Sequence, residues 1–202
     1  MALTKKQQAV RRGRIGGSEC AALAGVSRWA SPIKIYERAV ARLEGKEVDE
    51  GGPTLAMELG VEFEEPVARL YAKRKHRWTK PVDSCVSEAY PYAVATPDRA
   101  VFVSPVQALA QRKKLQIDDM REAERGLEIK TTTWRQKDAW GPDGSEIAPE
   151  EYVAQAVWCM GVTGLHVWDL AVLIDRDEFR VIHVRWDAQL FEGLYTIAER
   201  FV

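Results

Sequence analysis

The sequence predicts an α/β or α+β fold, because helical and strand-like hydrophobic patterns are interleaved along it. Helical spacing is clearest from Thr54 to about Lys75. Apolar alternation is clearest over residues 165–174 and 179–186, which predicts two strands joined by residues 175–177. At 202 residues with 46% hydrophobic content, the chain has enough material for one core. We therefore expect a single domain over residues 1–202.

Two helices are expected to open the chain. Ser18 can cap a short helix that stops at Gly25. Ser31 followed by Pro32 favours a second helix that runs to about Leu43, since proline fits the first helical turn. The charged, glycine-rich stretch that follows is typical of a connection.

The long helix carries Pro66, which predicts either a kink or the first turn of a new helix. Short strand-like runs come next, over residues 84–86, 92–96 and 100–103. Residues 104–125 are mostly polar, and we interpret them as an insertion. Glu150 then begins a helix to about Val162 with Gly164 near its end, and Asp187 caps a terminal helix.

Composition limits the functional classes. The formal net charge of −1 means that any nucleic-acid binding must come from local basic patches. Cys20, Cys85 and Cys159 lie far apart without C-x-x-C spacing, which argues against zinc or an iron–sulfur cluster and suits a reducing compartment. No secretory or membrane-spanning segment is evident, so we expect a cytoplasmic protein that does not engage a membrane.

The most informative polar residues are Asp98 and the Glu128-Ile129-Lys130 tripeptide. Asp98 follows a short apolar run that ends at Pro97, and strand alternation puts Glu128 and Lys130 on one face. Two carboxylates and the Ile129 carbonyl would suit Mg²⁺, which prefers oxygen ligands. Lys130 would orient or acidify an attacking water beside a phosphate. The alternative is a surface strand with an ordinary Glu/Lys pair.

Three further segments are candidates for the same site. Arg11 and Ser18 flank a glycine-rich stretch before a helix N-terminus, where anions bind, although a basic tail is the alternative. Glu65 lies in an acidic run of the long helix, and a solvated acidic face is the alternative. Gln155 interrupts an apolar helix, either to orient water or phosphate or as a core amide bonded to backbone.

Five motifs follow one another along the chain: the basic Gly-Ser segment, the helix glutamate, Asp98, Glu128-Ile129-Lys130 and Gln155. In this order they resemble the YqaJ-like viral recombinase family, the phage lambda exonuclease group of the PD-(D/E)xK nuclease superfamily. The resemblance runs from about Arg11 to Gly164. It implies a restriction-endonuclease-like core with a central mixed β-sheet flanked by helices. It also implies a Mg²⁺-dependent 5′→3′ exodeoxyribonuclease that resects linear double-stranded DNA and leaves 3′ overhangs for phage-type recombination by single-strand annealing.

The resemblance assigns roles by position. Asp98, Glu128, the Ile129 carbonyl and Glu65 would hold the metal, with Lys130 and Gln155 completing the catalytic set. Arg11 and Ser18 would grip the DNA 5′-phosphate. The doublet Glu64-Glu65 leaves the helix acid ambiguous by one residue, and Pro66 and Ala68 favour Glu65. Arg99 follows Asp98 where the family often has glycine.

The resemblance also implies two Mg²⁺ ions per site, with Mn²⁺ as a substitute, a homotrimeric ring around the DNA, a single-strand annealing protein as partner, and a phage or prophage protein that acts in the bacterial host cell. The remaining residues expected to contact DNA are basic or aromatic: Arg12, Arg14, Arg28, Trp134, Arg135, Lys137 and Tyr152. The alternatives are another PD-(D/E)xK endonuclease or repair exonuclease, and a catalytically silent DNA-binding subunit.

Overall fold

The computed structural model describes residues 9–46, 52–105, 120, 122–175 and 177–202. Its helices are α1 (Gly17–Leu23), α2 (Pro32–Glu44), α3 (Leu55–Lys75), α4 (Glu150–Thr163) and α5 (Ala188–Phe201), with a 3₁₀ helix over Trp134–Ala139. Its strands are β1 (Ile15–Gly16), β2 (Trp78–Pro81), β3 (Cys85–Val86), β4 (Ala93–Ala95), β5 (Arg99–Phe102), β6 (Arg125–Thr132), β7 (Val167–Ile174) and β8 (Glu178–Arg185).

A five-stranded mixed sheet in the order β2-β5-β6-β7-β8 forms the centre of the fold. Strands β6 and β7 run parallel, and the other neighbouring pairs run antiparallel. The parallel pair requires a crossover, which the 3₁₀ helix and α4 supply. Strands β1, β4 and β3 form a second, three-stranded sheet. This arrangement confirms the predicted mixed sheet flanked by helices.

The two faces of the central sheet bury different cores. Alternate residues of β7 point to opposite sides, so Leu170 packs in the core that includes Trp158 of α4 and Phe191 of α5. Ala171 packs instead in the core that includes Tyr71 of α3, with Leu127 of β6. The sheet is therefore covered by helices on both faces, and the residues that begin or end its central strands are partly enclosed.

Several local expectations need correction. Helix α1 starts at Gly17, and the Glu19 carboxylate accepts the Gly16 N–H at 2.9 Å, so the prediction that Ser18 caps this helix is wrong. Pro66 lies inside one continuous helix. Strands β1 and β2 were not expected. Residues 106–119 and 121 of the predicted insertion lie outside the described residues, and Arg125, its last residue, begins β6.

The helices agree better with expectation. Thr54 caps α3 by accepting the Met57 N–H at 3.3 Å, and Asp187 caps α5 by accepting the Leu190 N–H at 2.9 Å. Gly164 ends α4 in the left-handed conformation, with φ of 75°. Within the described ranges, no helix combines the length and apolar character that a membrane crossing needs.

Candidate active site

Asp98 and Glu128 are brought together by the antiparallel pairing of β5 with β6. Arg99 is opposite Leu127 in that register, which places Asp98, one residue before β5, opposite Glu128. The Asp98 Oδ2 atom accepts the Ile129 N–H at 2.7 Å. The carboxylate pair is therefore fixed by sheet register, and the long stretch of sequence between the two residues does not separate them.

Lys130 lies on the same side as Glu128, two residues further along β6. Its Nζ donates to Glu128 Oε1 at 2.8 Å and to Gln155 Oε1 at 3.3 Å. The Gln155 amide in turn donates from Nε2 to Glu128 Oε1 at 2.6 Å. The Lys130 ammonium also lies 4.8 Å from the centre of the Tyr152 ring. These contacts make Gln155 a partner of the polar cluster rather than a core amide bonded to backbone.

A cleft of about 300 Å³ opens over this cluster. Seven of the residues predicted for the site line it: Arg11, Ser18, Asp98, Glu128, Ile129, Lys130 and Gln155. The N-terminal segment, helix α4 and strand β6 thus contribute to one cavity although they are far apart in sequence.

The helix carboxylate in the cleft is Glu64 and not Glu65. Glu64 lines the cavity with a side chain 13% exposed, and it forms an ion pair with Arg99. Glu65 is 54% exposed and pairs with Arg69 at 2.8 Å. The Arg69 hydrogen bond is the main reason that the pKa of Glu65 lies below its ordinary value. Neighbouring helix residues point about 100° apart, so the two adjacent carboxylates face different directions and only Glu64 faces the cleft.

Arg99 is a functional candidate that sequence reasoning named only as a departure from the family pattern. It is buried, and its guanidinium contacts Glu64, Glu65 at 3.1 Å and the Asp98 carbonyl at 2.7 Å. A basic residue directly after the aspartate that is a candidate metal ligand was the available signal. Its position places a cation between the start of β5 and helix α3.

The electrostatics of the carboxylate pair favour a cation. Burial, followed by repulsion from Glu128, raises the pKa of Asp98 to about 8. Burial would lower the pKa of Lys130, but Glu128 and Asp98 together raise it above its ordinary value. The second Glu128 oxygen, Oε2, is buried and has no hydrogen-bond partner in the part of the chain that the structure describes. An unpaired buried carboxylate oxygen is costly, and a divalent cation beside it would remove that cost.

The donor set suits a hard cation. Among the described residues, no three His, Cys, Asp or Glu side chains are grouped to hold a metal. An ion here would take the two carboxylates and complete its shell with the Ile129 carbonyl and water, which is a common arrangement for Mg²⁺. The site therefore fits Mg²⁺ better than zinc, which prefers four nitrogen or sulfur ligands.

The glycine-rich N-terminal segment lets Arg11 reach the cleft. A Cβ on Gly16 would lie 2.8 Å from the Arg11 guanidinium, and one on Gly17 would lie 2.9 Å from Gln155 Cγ. Arg11 is 3.6 Å from the buried Glu19 carboxylate, which holds its guanidinium in place. Glycine is thus required here for close approach, and not for a strained backbone.

The other predicted DNA-contacting residues are not in the cleft. Arg12 and Arg14 line a separate cavity with residues of α2 and α5. Arg28 pairs with Glu151 at 2.5 Å and donates to Gln136 at 2.8 Å, and Lys137 pairs with Glu178 at 2.6 Å. Trp134 is 68% exposed, with the Arg135 guanidinium 5.8 Å from its ring centre. Tyr152 contacts Lys130, as described above.

Comparison with known proteins gives one family. A model of the YqaJ-like viral recombinase domain matches residues 6–166. No curated protein sequence matches the chain significantly.

Solved structures share the fold at low sequence identity. LHK-Exo in complex with dAMP has a TM-score of 0.70 at 19% identity, covering 98% of this chain and 90% of that chain. The alkaline exonuclease LHK-Exo from Laribacter hongkongensis gives 0.68 at 20% identity with the same coverage. A phage-related exonuclease from Haemophilus somnus 129PT gives 0.56 at 10% identity, covering 93% of this chain and 92% of that chain.

Proposed function

The chain belongs to the YqaJ-like viral recombinase family, and from that membership we propose that it is a metal-dependent nuclease that degrades linear double-stranded DNA from its 5′ ends and leaves 3′ overhangs. The observation that carries the proposal is the half-buried Asp98 beside the buried Glu128, whose Oε2 has no hydrogen-bond partner among the described residues and whose Oε1 accepts from Lys130 at 2.8 Å. The solved structures that share the fold are named exonucleases, which supports the same class.

The protein groups have distinct roles in the proposed hydrolysis. Asp98, Glu128 and the Ile129 carbonyl would hold Mg²⁺, and Mn²⁺ would serve in its place because it also accepts oxygen ligands. When bound, the ion supplies an acidified water and stabilises charge on the phosphate. Lys130, held protonated by the carboxylates, donates hydrogen bonds to the phosphate or its attacking water. Gln155 fixes both Lys130 and Glu128.

A second ion would need a further carboxylate, and Glu64 is the one that lines the cleft. We therefore assign to Glu64 the role that the sequence favoured for Glu65. Because Glu64 is already paired with Arg99, a second ion would have to share or displace that contact.

Recognition of a 5′-phosphate is proposed for the Arg11 end of the cleft. A guanidinium and a hydroxyl, from Arg11 and Ser18, line the cavity beside the N-terminal turn of α1. Arginine binds phosphate through a planar fork, and backbone N–H groups at a helix start favour anions. A phosphate held there would place the first phosphodiester toward Asp98 and Glu128.

The exposed residues Trp134 and Arg135 are proposed to contact the DNA outside the cleft, and a ring of three subunits would enclose the duplex. A single-strand annealing protein is the proposed partner that coats the 3′ strand. Arg28 and Lys137 remain candidates for backbone contacts, although each is engaged by a carboxylate in the free protein.

The decisive test is DNA degradation with Mg²⁺ on two topologies. Linear duplex with 5′-phosphates should release mononucleotides from the 5′ ends, whereas covalently closed circles should stay intact. Asp98→Ala should abolish the release, and chelation of the metal should do the same. Nicking of closed circles would favour an endonuclease, and unchanged degradation by Asp98→Ala would refute the site.

A further inference from the structure

An aromatic stack lies behind the proposed catalytic lysine. The Tyr152 ring faces the Lys130 ammonium at 4.8 Å from its centre. Trp140 stacks on the same ring, with centroids 5.3 Å apart and planes 22° from parallel. Trp140 is buried, with 3% of its surface exposed. Hydrogen bonds to Glu128 and Gln155 thus hold the Lys130 ammonium, which also contacts the face of the Tyr152 ring that stacks with Trp140.

The Trp140 segment is itself anchored to the far edge of the sheet. Arg180 of β8 donates from Nη1 to the carbonyls of Trp140, at 2.5 Å, and Gly141, at 3.0 Å. The Gly141 N–H donates to the Ile147 carbonyl at 2.8 Å. These backbone contacts hold the loop between the 3₁₀ helix and α4, and thereby the Cα position from which the indole packs on Tyr152.

The indole of Trp140 contributes a ring face rather than a hydrogen bond. Its Nε1 is buried, and no described residue accepts its N–H, which destabilises a folded protein. What the indole does provide is a broad flat surface against the Tyr152 ring, which limits rotation of that ring. A lysine side chain has several rotatable bonds, so a fixed ring face narrows the positions that its ammonium can occupy.

We propose that Trp140 is a positioning residue for Lys130, acting through the Tyr152 ring. The proposal rests on the nuclease function proposed above, because Trp140 is given the role of fixing where the Lys130 ammonium lies relative to the reacting phosphate. A misplacement of a catalytic group by about 1 Å is enough to reduce a rate on the order of 100-fold. Loss of the stack should therefore act on turnover more than on DNA binding.

The test compares variants that keep or remove the flat ring. Trp140→Leu should lower kcat about tenfold or more with KM little changed, since the lysine is misplaced while the DNA contacts remain. Trp140→Phe, which keeps a ring and removes the unpaired N–H, should retain most of the turnover. Tyr152→Leu removes the ring that contacts Lys130 and should lower kcat to a similar extent, and if Trp140→Leu does not fold, an unchanged kcat for Tyr152→Leu would overturn the proposal.

A double-mutant cycle separates positioning from general destabilisation. In a Lys130→Ala background, Trp140→Leu should cause no further loss of kcat, because the group that it positions is absent. Equal losses in both backgrounds would overturn the proposal. So would an unchanged kcat for Trp140→Leu in an active wild-type enzyme. An inactive wild-type enzyme would instead refute the nuclease function itself.

A measurement without DNA or metal gives independent evidence. The Tyr152 ring current should shift the Lys130 ε-methylene protons upfield in lysine-labelled, metal-free protein, with Lys130→Arg assigning the signal. The shift should persist in Trp140→Phe and collapse in Trp140→Leu. Retention of the full shift in Trp140→Leu would show that Tyr152 holds its orientation without Trp140, and the proposal would be wrong.

Discussion

Removing the charge of Arg99 should destabilise the protein, because it strands a carboxylate at the base of the cleft. In Arg99→Met the apolar stem is largely retained, so the loss comes from the guanidinium. The side chains of Arg99 and Glu64 are 9% and 13% exposed, which makes this a buried pair. Breaking such a pair by removing one partner costs about 3–5 kcal/mol. We expect the lower end, about 3 kcal/mol, since Glu64 faces the cleft.

Urea unfolding in the presence of a chelator measures this effect without metal. Arg99→Met should lower the free energy of unfolding by that amount, and adding Glu64→Gln to it should recover most of the loss, because the stranded charge is then gone. Glu65→Gln is the matched control, since this neighbouring carboxylate is 54% exposed and its ion pairs contribute at most about 1 kcal/mol. The reasoning fails if Arg99→Met is as stable as wild type, or if its cost is undiminished in the Glu64→Gln background.

Three shorter predictions concern the site and its support. Glu65→Gln should retain nuclease activity while Glu64→Gln loses it, measured as nucleotide release from linear duplex. The folded-state pKa of Asp98, about 8, lies above its unfolded value of 3.8, so metal-free stability should fall between those pH values as pH rises, and thermal unfolding of Asp98→Asn should lack that fall. Gly126→Ala should lower the melting temperature sharply, because a Cβ there would lie 2.2 Å from the Trp168 ring, and an unchanged melting temperature would contradict this packing.

The strands that carry the site could be predicted because their side chains alternate. Leu127 and Glu128 show this in β6, where the first packs in the α3-side core and the second faces the cleft. The pairing of Asp98 with Glu128 could not be predicted in the same way, since strand register depends on contacts between distant segments. The chemistry of two carboxylates beside a lysine suggested the association of the two residues, the resemblance to a known family strengthened it, and sheet register supplies the physical cause.

Local ambiguity limited two of the sequence expectations. Glu64 and Glu65 have the same chemistry, and the choice between them depends on the rotation of α3 about its axis, which packing of Val67 and Tyr71 against the sheet sets. Ser18 is a good capping residue by type, but the buried Glu19 carboxylate accepts the Gly16 N–H and the helix begins one residue earlier. Strand β1 has two residues, which is too short for a periodic signal.

The arrangement of charges shows how a chain with a formal net charge of −1 can still present positive groups at the cleft, where a phosphate is proposed to bind. Among the described residues, the two cations that line the cleft and the buried arginine beside it each pair with a carboxylate: Arg11 with Glu19, Lys130 with Glu128 and Arg99 with Glu64. Such pairs add little to the net field, but they fix where each positive group points.

Fixed donors stabilise developing negative charge without reorganising during the reaction, and this contributes more to catalysis than a diffuse positive potential. If orientation is what matters, Lys130→Arg should lose activity although the charge is kept, because a planar guanidinium cannot reproduce the contacts of the ammonium with Glu128, Gln155 and the Tyr152 ring. Wild-type turnover by Lys130→Arg in the linear-duplex assay would show instead that charge alone suffices at this position.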